Sequence, residues 1–323
     1  MWQKGGVLFE WVSPHTLVPL ALCAIGLLGF VLYSKRFPPY PIIRTSLFSS
    51  ATGVVAHSGS VVHGVAVFSL LYYLPVYYGI AKRATVLESA LYVLPNTVVA
   101  ALTSAASGIV ITKTGRYRLV LWVGWAAVAA GSGVLMMVDE KTTLAVGILL
   151  PLVAGCGIGI LFATLGMAAQ ASVPATDASA ASSMTNFFRS LGQTLGIAVG
   201  GVVVQNVFRR EVEKNETYRA YAAVWARNIA RVGRALEALT SPEEQALKQV
   251  VVSAVVQGTR AVWLLLCVLS ATQLVASIVL VKNIDLDKPE AAKPRRPPIS
   301  RPRLQMSIDP TAADSFVRLP NQI

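Results

Sequence analysis

Histidine, arginine and carboxamide side chains occur here inside stretches that are otherwise apolar, and they are the residues that could do chemistry. His57, Ser60 and His63 follow one another at intervals of three, so they can share one face of a helix. A neutral imidazole titrates near physiological pH, which suits His63 to exchange a proton or to touch a substrate. Ser58, Ser69, Tyr72 and Tyr73 extend the polar character of that stretch. A stripe of this kind suits a water-filled cavity, and it equally suits hydrogen bonding between neighbouring helices. Farther on, Arg189 and Gln193 lie four residues apart, on one helical face. Arg189 can snorkel to an interface, or bind an acidic group across a bundle. Asn96 follows Pro95 and puts an amide beside a helix interruption. Polar groups in hydrocarbon cost free energy, so each of these is a candidate for function.

The sequence carries no enzymatic constellation. It contains no HExxH or GxSxG motif and no paired carboxylates inside an apolar stretch. Cys23, Cys156 and Cys267 lack metal spacing and read as small core residues, and no cofactor or metal is implied.

The elements that must position these residues are membrane helices. Hydrophobic residues make up 54% of the chain and charged residues 14%, against about 25% charged in a soluble domain. About 20 apolar residues cross a hydrocarbon core of about 30 Å, and backbone in lipid must satisfy itself as helix. Seven such stretches are expected, over about 15–34, 52–78, 86–111, 119–138, 143–168, 183–207 and 259–281. The fold class is therefore all-α integral membrane, with a seven-helix domain over 1–282. The first stretch lacks a basic leader and a cleavage site and reads as a reverse signal anchor.

Lys35, Arg36 and Arg44 after the first span, and Lys113, Arg116 and Arg118 after the third, place those loops in the cytoplasm. The basic tail 283–323, with Lys293, Arg295, Arg296, Arg301 and Arg303, reads as disordered and cytoplasmic. The net charge of +12 is concentrated there and scattered over loops, and it is no nucleic-acid signal. The segment 208–258 is basic yet falls outside in this topology. Trp225, Ile229, Val232, Leu236 and Leu239 recur there at helical spacing, with Arg227, Arg231 and Arg234 between them. That pattern reads as an amphipathic helix, lying either in the headgroup layer or as a lid on the spans.

Glycines punctuate two spans. Gly192, Gly196 and Gly200 form a doubled small-xxx-small ridge that lets another helix approach closely. Gly155, Gly157 and Gly159 imply close packing or a bending helix.

Several segments together resemble one family. "GIVITKTGRYR", residues 108–118, is similar to the loop motif of the major facilitator superfamily: Gly108, Lys113, Gly115 and Arg116 match, while Thr112 stands in place of the motif's aspartate. Residues 63–78, 122–136, 154–162 and 187–206 resemble fungal fourteen-span drug and toxin exporters driven by protons. The resemblance implies that the seven spans are that family's last seven and that the chain is truncated and inactive alone. Its second and fifth spans would line a substrate cavity flanked by the third and sixth. That makes His57, Ser60, His63, Tyr72, Asn96, Phe162 and Gln193 the cavity candidates. The implied partners are membrane lipid, a small organic substrate, protons, and a second copy or a partner N-terminal half. The implied location is the plasma membrane or the vacuolar membrane. A seven-span receptor, or a non-transporting regulator of a full-length exporter, are the other functions compatible with this pattern.

Overall fold

The computed structural model describes residues 13–36, 45–229, 232–233 and 242–281, and among these all regular structure is helical. The helices are α1 (Pro14–Arg36), α2 (Ala51–Ala81), α3 (Val86–Thr114), α4 (Tyr117–Leu135), α5 (Leu144–Leu149), α6 (Pro151–Ala171), α7 (Ala178–Glu213), α8 (Ala222–Ala226) and α9 (Pro242–Leu280).

Local chemistry sets these boundaries. The Ser50 hydroxyl accepts from the Gly53 N–H at 3.0 Å and caps α2. Thr85 and Glu88 form a reciprocal capping box at the start of α3. Gly115 ends α3 at φ 66°, a conformation that favours glycine, with its N–H on the Ile111 carbonyl at 2.8 Å. Pro151 has no N–H and separates α5 from α6, although 144–171 still forms one apolar crossing.

Among the described residues, six helices are long and apolar enough to cross a membrane, where the sequence led to seven. The difference is α1. It is helical as expected, but its described apolar stretch is only Leu17–Gly26. Leu17, Leu22, Ile25, Leu28 and Leu32 are all exposed. The core is built by α2 onwards, around Leu70, Tyr78, Leu121, Trp125, Leu161, Leu165 and Leu266.

The pairings follow a reciprocal pattern. α2 packs along α7, and α6 along α3; α4 packs on α6, and α9 on α2; α4 and α9 meet each other. Exchanging α2, α3 and α4 for α6, α7 and α9 maps these pairings onto one another, although the extensive α7–α9 contact has only a slight α3–α4 counterpart. Such an arrangement is expected of two related three-helix units.

The segment 208–258 differs from expectation. α7 and α9 contain 36 and 39 residues, roughly 54 and 58 Å at 1.5 Å per residue, well beyond a hydrocarbon core. α7 and α9 pack together, and α8 packs on α7. Val204, Phe208 and Val212 are buried at intervals of four on α7, as are Val251 and Val255 on α9. Charge on the outer faces lowers the hydropathy without breaking this stripe; Arg209–Glu213 and Lys214–Glu211 pair there. Ala222 and Ala226 are buried, and Gly233 lies against Ile80, so the described part covers the end of α2. Arg231, Arg234, Leu236, Leu239 and the tail lie outside the described residues.

At that same end, Lys82 gathers the α4–α5 connection. Its ammonium donates to the carbonyls of Glu140 at 2.7 Å, Thr142 at 2.6 Å and Asp139 at 3.5 Å. The Asp139 carboxylate accepts from the Thr142 hydroxyl and from the N–H groups of Lys141 and Thr142. Those bonds hold it below the usual carboxylate range, the Thr142 hydroxyl contributing most. Lys82→Met should cost about 1.5–3 kcal/mol, the scale of hydrogen bonds to charged groups. Amide exchange at Lys141 and Thr142 should quicken; unchanged exchange would mean that the Asp139 turn holds the loop without Lys82.

Candidate functional site

The central polar cluster forms where α2, α6 and α7 meet. On α2, His63 is wholly buried, and its Nε2 lies 2.9 Å from the Ile158 carbonyl of α6. The ring stands edge-on to Phe162, with centroids 6.0 Å apart. From α7, the Arg189 guanidinium sits 4.0 Å from the Phe162 ring centroid. It donates through Nη2 to the Phe162 carbonyl at 2.9 Å and through Nη1 to Asn186 Oδ1 at 3.2 Å. Its Nε has no hydrogen-bond partner, and neither does His63 Nδ1. Arg189 therefore does not snorkel: it is 6% exposed. It has no carboxylate partner among the described residues either. A buried charge without a counter-charge is costly, and such groups in membrane helices mark functional sites.

Backbone geometry places these groups. A Cβ at Gly192 would strike the Val61 carbonyl; one at Gly196 would lie 2.7 Å from the Val65 carbonyl oxygen. At Gly200 it would strike the Tyr73 ring, and Gly64 of α2 is equally tight against the Arg189 backbone. α2 and α7 thus touch backbone to backbone. Tyr73 Oη donates to the Ile197 carbonyl at 2.8 Å across the same seam. α6 is clamped likewise. Gly155 and Gly159 face Asn96, Ala100 and Thr103 of α3, while Gly157 faces Gly124 and Val128 of α4.

The other candidates are not brought together. His57 is buried in a separate aromatic box, with centroids 5.3 Å from Phe48 and 5.6 Å from Phe188. Ser60 donates to its own helix, at the Ala56 carbonyl. Tyr72 is exposed beside Tyr73, nine residues and about 180° of helix from His63. Asn96 lies in the α3–α6 seam with its Oδ1 unpartnered. Gln193 is half-buried one turn beyond Arg189, where its N–H would meet a Cβ at Gly64. Sequence reasoning did not mark Asn186 or the Ile158 carbonyl. Asn186 was signalled only by standing three residues before Arg189.

Residues 5–197 match the family model described as Major Facilitator Superfamily. The chain belongs to this superfamily. Among curated relatives, "MFS transporter L2" of Phoma sp. is 32% identical over 88% of this chain and 47% of its own length. "MFS-type efflux pump LUC4" of Fusarium sp. is 29% identical over 87% and 50%. "Efflux pump dotC" of Dothistroma septosporum is 26% identical over 88% and 48%. The chain thus spans about half the length of the curated relatives it matches. The fold resembles the crystal structure of a bacterial homolog to the human lysosomal transporter Spinster, in inward-facing and unoccupied conformation. The TM-score is 0.59 and the identity 17%, over 88% of this chain and 63% of that one. Superfamily membership sets aside the seven-span receptor.

The segment 108–118, which resembles the superfamily loop motif, runs from the last turns of α3 into the start of α4. Gly115 supplies the left-handed turn there, while Gly108 has open space around it. Arg116 caps the start of α4 without a side-chain bond. Thr112, in the motif's aspartate position, bonds back to the Gly108 carbonyl instead of reaching across the loop. Arg118 donates to the Ile278 carbonyl at 3.0 Å, which ties this loop to the end of α9.

Proposed function

We propose that this chain forms one bundle of an exporter of small organic molecules. Export proceeds by alternating access across a cavity shared with a second bundle. The observation that carries the reading is the buried, uncompensated Arg189 between α2, α6 and α7, beneath side chains exposed on the bundle surface. The names of the fungal relatives support efflux as the direction. His63, Phe162, Arg189 and Gln193 form this bundle's share of the cavity, and residues 283–323 form a basic cytoplasmic tail of a plasma-membrane protein.

Proton coupling is part of the proposal. The acids of α2–α9 stand near helix ends, at Glu88, Glu211, Glu213, Glu243 and Glu244. Protons are therefore carried by His63 or by the second bundle. The test is reconstitution in liposomes with an imposed pH gradient. The chain is used alone and together with the part of the Phoma relative that it does not match. Gradient-driven uptake of a fluorescent organic dye is expected from the pair and not from the chain alone. Absence of uptake by the pair would overturn the transport reading; uptake by the chain alone would overturn the need for a second bundle.

A further inference from the structure

We propose that Arg189 is a receptor for the carboxylate of an amphipathic organic acid, with the Phe162 ring as its movable cover. The inference deepens the transporter reading by naming a substrate class, and its physiological meaning rests on that reading.

Three observations converge on it. A guanidinium presents five N–H donors in a planar fork that fits a carboxylate in two places at once. Here two hydrogen bonds are made, both to neutral oxygens, and Nε is unpartnered although Arg189 is only 6% exposed. Among the described residues the charge is thus held in place but not neutralised.

The charge is also only one side chain deep. Phe162 is 51% exposed and covers the guanidinium at 4.0 Å. Asn186, which accepts from Nη1, is exposed too. Turning these two side chains about their own bonds uncovers the fork without moving a helix. By contrast, the backbone of Arg189 is fixed against Gly64, so the base of the site cannot retreat.

The surrounding face is amphipathic. Along α7, Ser183, Asn186, Ser190 and Thr194 are exposed at helical spacing, beside exposed Phe187, Leu191 and Leu195. A ligand with a carboxylate and an apolar body has a partner for each end: the guanidinium for its charge, and Phe162 with the α7 leucines for the rest. A neutral drug would leave the fork unsatisfied, and an organic cation would be repelled by it.

The test measures binding and needs no transport. The purified chain in neutral detergent is titrated with pyrenebutyrate and with pyrenebutanol, which share an apolar body and differ in charge. The acid should bind at least about tenfold more tightly, as expected for charge-assisted hydrogen bonds. In Arg189→Gln the two probes should bind alike, with monodisperse elution on size exclusion and an unchanged thermal midpoint as the controls for folding. Arg189→Lys, which keeps the charge without the fork, should show an intermediate preference. Equal binding by the wild-type chain, or an undiminished preference for the acid in either variant, would overturn the proposal. Loss of the preference on adding the unmatched part of the Phoma relative would assign the guanidinium to a protein carboxylate and overturn the substrate class. Acid-selective binding without gradient-driven uptake would sustain the site and remove the exporter reading alone.

Discussion

Gly192→Leu should abolish recovery of the folded chain, while Gly166→Leu should be tolerated. A Cβ at Gly192 would meet the Val61 carbonyl oxygen, its carbonyl carbon at 2.8 Å and its Cα at 2.9 Å. All three are backbone atoms of α2 and cannot rotate away. α2 and α7 would have to separate, losing the Tyr73 bond to Ile197 at 2.8 Å and the Gly196 and Gly64 contacts of the same seam. Overpacking costs about 1–3 kcal/mol and more where relief is blocked, against a total stability of about 5–15 kcal/mol. At Gly166, on α6, a Cβ would find no heavy atom within 4 Å. A leucine there also gains helix propensity of up to about 1 kcal/mol over glycine. Monodisperse yield on size exclusion and the thermal midpoint decide the matter. Equal behaviour of the two variants would mean that the α2–α7 seam is not the close contact described.

The hydropathy pattern located the helices because lipid imposes a single rule on length and backbone bonding. It placed α2 at 52–78 and α3 at 86–111, against Ala51–Ala81 and Val86–Thr114. The same rule failed at α9. Lys248 and the glutamates at 243 and 244 look like loop by hydropathy, yet Val251 and Val255 keep the helical stripe running. Gly192, Gly196 and Gly200 announced a close approach by their spacing; which helix approaches is a tertiary fact, and α2 answers with its own Gly64. The polar candidates were the least legible. His57 and His63 share a helix but are six residues, about 120° and one aromatic box apart. Arg189 could have turned to the interface; its burial depends on Phe162 from another helix, which spacing along α7 cannot express.

If the proposed function holds, the face carrying Phe162, Asn186 and Ser190 is the wet face turned toward the second bundle. Ser190 on α7 and Val268 on α9 are both exposed on the bundle by itself, Val268 by 54%. Exposure therefore does not distinguish them; what covers each in the membrane does. Thiol modification needs water and a thiolate, which hydrocarbon denies. The measurement replaces Cys23, Cys156 and Cys267 by alanine and introduces Ser190→Cys or Val268→Cys. Membrane vesicles carrying the chain with the unmatched part of the Phoma relative are then treated with a charged, impermeant thiol reagent. The cysteine at position 190 should be modified, and pyrenebutyrate should slow its reaction, while the cysteine at 268 should stay unmodified. Modification at 268 with none at 190 would place the Arg189 face against lipid and rule out a cavity there.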